Sequence, residues 1–200
     1  LIELANKNHW KVLEIGSREV TGGSSMRERL CNAEYIGFDF YSGSNVDIVG
    51  DVHKLSSYFN GTKFDLIFTS ACFEHFAMPW IASQEIIKLL KVGGYVFVET
   101  HYSFSSHERP WHYFQFSENA LEVLFNREMG IECVEKGVSN PLVAKFSKYA
   151  AKYLRGHKVT GMYCHSEFLG KKFKEADGFS WDNADLNNIY NGTQYVFPKK

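Results

Sequence analysis

The chain has 200 residues, 44% hydrophobic and 22% charged, which is the composition of an ordinary globular domain and excludes a disordered or collagen-like chain. Its 22 basic and 23 acidic side chains leave a formal net charge of −1. No bulk field therefore draws it to a nucleic-acid backbone or an anionic membrane, so a small-molecule partner is expected, with no nucleic acid and no membrane.

The longest apolar runs are far shorter than the ~20 residues that span a bilayer. The first eleven residues lack the apolar core of a secretory signal. Cys31, Cys72, Cys133 and Cys164 are scattered, with no CxxC pair. That pattern fits a reducing, cytoplasmic setting.

Residues 11–15, 35–40 and 46–49 read as short strands: the first ends at Gly16, the second carries Asp39 and the third runs up to Asp51. Residues 64–69 form a fourth. In 80–91, Ile81, Ile86, Leu89 and Leu90 recur at helical spacing, with Lys88 and Lys91 near the end where the helix dipole favours cations. The Gly93-Gly94 turn then introduces a fifth strand at 94–100. Strands separated by helices imply parallel pairing through right-handed crossovers, an α/β fold with helices on both faces.

Residues 101–116, rich in aromatic and histidine side chains, read as a loop over the sheet's carboxyl edge. Ser117 caps a helix reaching Phe125, and 131–138 is a further strand. The final strand is expected at 194–197. Residues 141–192 are too long for a hairpin turn. They read as an insertion within a single domain spanning 1–200, serving as a lid or as the contact surface of a homodimer. Residues 141–175 carry eight basic side chains against Glu167 and Glu175, either a solvated helix face or a site for a substrate's anionic tail.

Ligands of open α/β sheets sit beyond the carboxyl ends of the strands. Gly16, directly after a buried strand, lets backbone approach a ligand closely. Asp39, ending the next strand, stands where a carboxylate accepts both hydroxyls of a ribose, so the pair predicts an adenosine-type ligand. His75, His101, His107 and His112 fall near the same edge. Imidazole titrates near neutrality and suits a general base, which makes His75, His101 and His112 catalytic candidates; capping a helix or holding the loop closed is the plainer role open to each. Their spacing is not that of a zinc cage, and no metal is expected. His53 is expected beside the adenine or at a helix start, and Cys72 as a buried small residue. Tyr102, Phe104, Trp111, Tyr113 and Phe114 form either an apolar wall for an acceptor or a satellite core under the loop.

Six motifs follow in order: VLEIGSR at 12–18, YIGFD at 35–39, GSNVDIVGDVHKL at 43–55, FDLIFTSACFEHF at 64–76, PW at 79–80 and LLKVGGYVFVET at 89–100. Together they resemble the class I S-adenosylmethionine-dependent methyltransferases, in particular the small-molecule type 11 branch. The resemblance implies a Rossmann-like, doubly wound, seven-stranded and mostly parallel sheet with an antiparallel last strand. It implies S-adenosyl-L-methionine as cofactor, S-adenosyl-L-homocysteine as product, and methyl transfer to an oxygen or nitrogen of a small molecule such as a sugar or natural product.

It also implies site roles. Glu14 and the backbone of Gly16 would lie at the methionyl part and Asp39 at the ribose, with Ser17 also among the cofactor-binding residues. Asp51 would meet the adenine amino group and the Val52 amide the ring, with the carbonyls of Ser70 and Ala71 near the cofactor's amino group. The chain departs from the family's GxGxG, since Ser17 and Arg18 follow Gly16 and the next glycines are Gly22 and Gly23. That departure leaves open a non-catalytic cofactor-binding or scaffold protein with the same fold. A NAD-binding Rossmann oxidoreductase would need GxGxxG, and would leave Asp51 and Phe73-Glu74-His75 without a role.

Overall fold

Strand β1 (Lys11–Ile15) divides its side chains between two cores, Leu13 and Ile15 in one and Val12 in the other. Burial on both faces is what an interior parallel strand requires, and β1 pairs in parallel with β2 (Glu34–Asp39) on one side and β4 (Phe64–Ser70) on the other. The computed structural model describes residues 1–20, 22 and 25–189. Its sheet adds β3 (Ile48–Val49), β5 (Leu90–His101), β6 (Ile131–Lys145) and β7 (Lys158–Lys172), in the order β3-β2-β1-β4-β5-β7-β6. β1 to β5 are parallel, and β7 lies antiparallel between β5 and β6. Strand order reverses between β1 and β4, opening the crevice where such sheets take ligands.

The larger core gathers Leu13, Ile15, Phe38, Phe73 and Phe168 under α3 (Pro79–Leu89), α4 (Glu118–Leu124) and the 3-10 turns at Val52–Tyr58. Pro79 starts α3, where its missing N–H costs nothing. Ser117 Oγ caps α4 by accepting from the Ala120 N–H at 3.2 Å. The opposite core is smaller: Ala5, Val12, Leu30, Leu66 and Phe68, covered by α1 (Ile2–Lys7) and the single turn α2 (Met26–Arg29). Helices thus stand on both faces, but unequally.

Two expectations shift. β5 begins before the Gly93-Gly94 turn: Leu90 pairs with Phe64 and the next pair is Tyr95 with Leu66, so 91–94 leave the ladder. Gly93 has φ 88°, and a Cβ on Gly94 would lie 2.9 Å from the Asp65 carbonyl oxygen. The glycines are needed inside the strand.

The second shift is larger. Residues 141–192 are not an insertion before the last strand, because they complete β6 and contain all of β7. Residues 194–197 lie outside the described residues. The antiparallel strand was hidden because its buried positions, Ser166, Phe168, Gly170 and Lys172, include one large apolar side chain. A Cβ on Gly170 would meet Ile131 Cγ2 at 2.5 Å. Lys172 Nζ donates to the carbonyls of Ile87 and Leu90, each at 2.9 Å, and to Glu175 at 2.6 Å; burial still holds its ammonium below the usual lysine range. The last β5–β7 pair is His101 with His165, so the outer parts of β6 and β7 continue alone past the carboxyl edge. No helix among the described residues is long and apolar enough to cross a membrane.

Candidate functional site

The crevice between β1 and β4 is shaped first by Gly16. Its φ is 83°, and a Cβ there would lie 2.7 Å from Cys72 Sγ, so only glycine lets β1 end against the turn after β4. The N–H groups of Gly16 and Ser17 both reach the Phe38 carbonyl, at 2.9 and 3.2 Å. Burial, then the charges of Glu74 and Asp39, push the Cys72 thiol far up. Cys72, expected to be buried, is half-buried against the larger core; it packs there as a thiol, and nucleophilic chemistry needs the thiolate.

Asp39 accepts from the N–H of Arg18 at 3.2 Å and of Tyr41 at 2.9 Å, with Arg18 Nε 3.5 Å away. A carboxylate takes about four hydrogen bonds, so accepting capacity remains. Asp51 Oδ1 caps the turn that follows, accepting from the His53 N–H at 3.0 Å and from His53 Nδ1 at 2.7 Å. Burial would raise the Asp51 carboxyl, but the bonds from His53 outweigh it and hold it low. His53 Nε2 accepts from the Met78 N–H at 3.2 Å, so the ring joins this turn to the start of α3, the helix-start position expected of it. Val52 is buried beside it. Glu14 accepts from the Tyr35 hydroxyl, and burial pushes its carboxyl up. Ser70 Oγ donates to Glu99 Oε1 at 2.6 Å, and Ala71 takes φ 47° as the chain leaves β4.

Two buried polar atoms at this edge, Ser17 Oγ and Thr69 Oγ1, have no hydrogen-bond partner among the described residues, and Arg18 Nε has only the Asp39 carboxylate at 3.5 Å. Buried polar groups are nearly always satisfied. Orphans at the ends of β1 and β4, beside Gly16 and two carboxylates, fit a polar ligand that donates as well as accepts.

The other side of the edge, at the ends of β4, β5 and β7, is built from imidazoles. His75 and His101 come together with His112 as expected, and with His107. Two further groups were missed: His165 on β7, whose ring stacks 5.4 Å from His101, and Glu74. The Glu74 side chain is 0% exposed; Oε2 accepts from Thr100 Oγ1 at 2.6 Å, and Oε1 lies 2.6 Å from His101 Nδ1. Burial would raise this carboxyl, but the neighbouring His101 and Thr100 outweigh it and hold it low. The acid in Phe73-Glu74-His75, just past a strand end, was the one sequence signal for it.

Residues 102–116 lie over this edge as expected. The N–H groups of Tyr113 and Phe114 bond to the Glu74 carbonyl, that of Phe116 to His101, and His75 Nδ1 bonds to the Trp111 carbonyl at 3.0 Å. The aromatic set divides. Phe104 stacks on His101 at 4.5 Å, Phe114 packs against Phe116 and the core, and Trp111 and Tyr113 are exposed.

A family model described as a methyltransferase domain matches residues 1–132. No curated protein matches the sequence. Among solved structures, the chain is similar to an S-adenosylmethionine-dependent methyltransferase from Archaeoglobus fulgidus, with TM-score 0.59 and 14% identity over 85% of this chain and 89% of that one. It is also similar to the Burkholderia thailandensis 1,6-didemethyltoxoflavin-N1-methyltransferase, solved with its substrate and S-adenosylhomocysteine (TM-score 0.59, 14% identity, 86% of this chain and 76% of that one). A third is the putative methyltransferase of Haloferax volcanii in complex with the Trm112 activator (TM-score 0.55, 17% identity, 82% and 83%). With a strand order that reverses beside Gly16 and the family model covering most of its length, the chain belongs to the class I S-adenosylmethionine-dependent methyltransferases.

Proposed function

We propose that this enzyme binds S-adenosylmethionine across the ends of β1 to β4 and methylates an oxygen or nitrogen of a small molecule, such as a sugar or natural product, held under residues 102–116. The observation that carries the reading is the pair of buried hydroxyls, Ser17 Oγ and Thr69 Oγ1, without partners among the described residues at the edge that also carries the Asp39 carboxylate. When bound, the cofactor supplies an activated methyl on a sulfonium, so the chain has mainly to align the reactants and keep water out.

In this reading Glu14, Gly16 and Ser17 hold the methionyl part. Asp39 accepts from the ribose hydroxyls, Asp51 and the Val52 amide bind the adenine, and the carbonyls of Ser70 and Ala71 take the amino group. Asp39 is pre-set for its part, because the backbone bonds from Arg18 and Tyr41 fix its carboxylate before any ligand arrives. His75, His101 and His112 face the acceptor as the catalytic histidines, with Phe104 stacked behind His101. Four free cysteines support a reducing, cytoplasmic setting.

Calorimetric titration with S-adenosylmethionine, S-adenosylhomocysteine and NAD tests the reading. Binding of the two adenosyl-sulfur compounds and not NAD is expected. A folded protein that binds neither would overturn it and return the chain to the scaffold reading.

A further inference from the structure

The acceptor side holds a buried anion, Glu74, with no Lys or Arg ion pair among the described residues. Among the described ion pairs, those of Glu74 are to imidazoles alone, His101 at 2.6 Å and His75 at 4.0 Å. Glu74 Oε1 and His101 Nδ1 meet each other as a close ion pair but have no partner in hydrogen-bonding geometry among the described residues, and both are buried, with the His101 side chain 8% exposed.

Backbone carbonyls set the tautomers of two further rings. A carbonyl only accepts, so His107 Nδ1, 3.0 Å from the Ser105 oxygen, and His75 Nδ1, 3.0 Å from the Trp111 oxygen, carry the protons. In the neutral rings each Nε2 is left with a lone pair. Tying the far nitrogen of an imidazole to a carbonyl is how proteins prepare a metal ligand. His112 is the contrast: its Nδ1 accepts from the His107 N–H at 3.3 Å, so its neutral ring presents an Nε2–H donor.

The centroids of His75, His101, His107 and His112 stand 4.6 to 6.5 Å from their cluster neighbours, so one divalent ion can meet the carboxylate and more than one ring at once. Ligand atoms of Glu74, His101 and His107 all lie within 4.8 Å of one another.

We infer that Glu74, His101 and His107 bind one divalent first-row transition ion of the zinc class. One carboxylate with two imidazoles suits Zn²⁺ and its neighbours, whereas Mg²⁺ and Ca²⁺ prefer all-oxygen sites. Ligand atoms at 2.0–2.1 Å from such an ion stand roughly 3.3 Å apart, so the contact between Glu74 and His101 opens by under about 1 Å as the ion enters. Three protein ligands leave a fourth position for a small molecule. Activation of an acceptor there rests on the methyl-transfer reading; ion binding does not. The spacing of these residues in sequence hid the site, because Glu74 and His101 meet through neighbouring strand ends and His107 through the loop that lies over them.

The test uses tag-free protein stripped with a chelator, titrated with zinc chloride by calorimetry and with cobalt chloride by visible absorption. One ion per chain is expected, with the intense visible bands of tetrahedral cobalt. Glu74→Gln and His107→Ala should each weaken binding about 100-fold or more, and Cys164→Ser should leave it unchanged. His107 lies on the loop, so His107→Ala keeps the test usable if Glu74→Gln does not fold. Absence of binding in the parent protein, or unchanged binding in both variants, overturns the site. So does loss on Cys164→Ser, which would move the ion to His101, Cys164 and His165, a second grouping within 4.8 Å. The same samples titrated with S-adenosylmethionine separate the two readings. Zinc binding without cofactor binding keeps the metal site and removes methyl transfer, and cofactor binding without either ion does the reverse.

Discussion

The two halves of the sheet's carboxyl edge are prepared for their ligands in opposite ways. On β1 to β3 the chain offers carboxylates whose partners are N–H groups close by: Asp39 holds the amides of Arg18 and Tyr41, and Asp51 that of His53. Past β4 and at the end of β5, with the loop over them, it offers imidazoles around the buried Glu74 carboxylate, two of which, His75 and His107, have a backbone carbonyl at Nδ1. The first half is anionic and acceptor-rich, suited to hydroxyls and amines. The second is a cluster of imidazoles around one acid, suited to a proton or a metal ion. A site of this kind separates binding from turnover along the line between β1 and β4, and substitutions on the two sides should fail differently.

The largest expected effect lies on the imidazole side. His101→Ala and His75→Ala should each lower turnover of an identified acceptor by about 100-fold or more, with affinity for S-adenosylmethionine within about twofold of the parent. Steady-state kinetics beside calorimetry checks this, and an equal loss in both quantities would erase the division.

Next is Asp39→Ala. Hydrogen bonds to a charged group are worth about 1.5–3 kcal/mol each, so cofactor affinity should fall by roughly 10- to 100-fold. Zinc binding at the other half should not change. Unaltered cofactor affinity would remove Asp39 from the site.

Gly16→Ala acts through shape. The φ of 83° and the 2.7 Å approach to Cys72 Sγ predict a loss of about 2 kcal/mol in denaturant unfolding. Adding Cys72→Ala should recover only part of it, because the Cys72 Cβ would still stand 2.9 Å away and the backbone strain would remain. Full recovery would mean that the contact alone, and not the left-handed backbone, makes glycine necessary.

The same division runs through what can be read from the chain before folding. Gly16, Asp39 and Asp51 each end a short apolar run, so period and position are enough to put them at one edge. Glu74 is different. Its partners Thr100 and His101 lie on the neighbouring strand, and nothing within a few residues of Glu74 marks it as buried. His165 was invisible for a second reason, since β7 buries Ser166, Gly170 and Lys172 where alternation leads one to look for Val or Ile. The lysine is tolerated because three oxygens receive its ammonium, a circumstance that exists only after β5 and α3 are in place.

The smallest effect tests whether the anionic half can be loosened without touching the other. Glu85 on α3 accepts from the Ser56 N–H at 2.8 Å, from Ser56 Oγ at 2.5 Å and from Lys88 Nζ at 2.5 Å, which ties α3 to the turn that Asp51 caps. Burial would raise its carboxyl, but the bonds from Lys88 and Ser56 outweigh it, so the folded pKa lies below the ordinary 4.5. A carboxyl with a lowered folded pKa contributes stability above its unfolded pKa and loses it as pH falls through the folded one. Glu85→Gln should therefore cost about 1 kcal/mol at pH 7 and a shrinking amount as pH falls through the lowered folded pKa, until its melting temperature and that of the parent converge. The other low carboxyls, Asp51, Glu74 and Glu175, titrate in both proteins and cancel in the difference. A gap that stays constant with pH would mean that Glu85 acts by packing alone. A weakened affinity for S-adenosylmethionine, about two- to threefold, with zinc binding untouched would show that the turn after Asp51 is held from behind by α3 and that the two halves are mechanically separate.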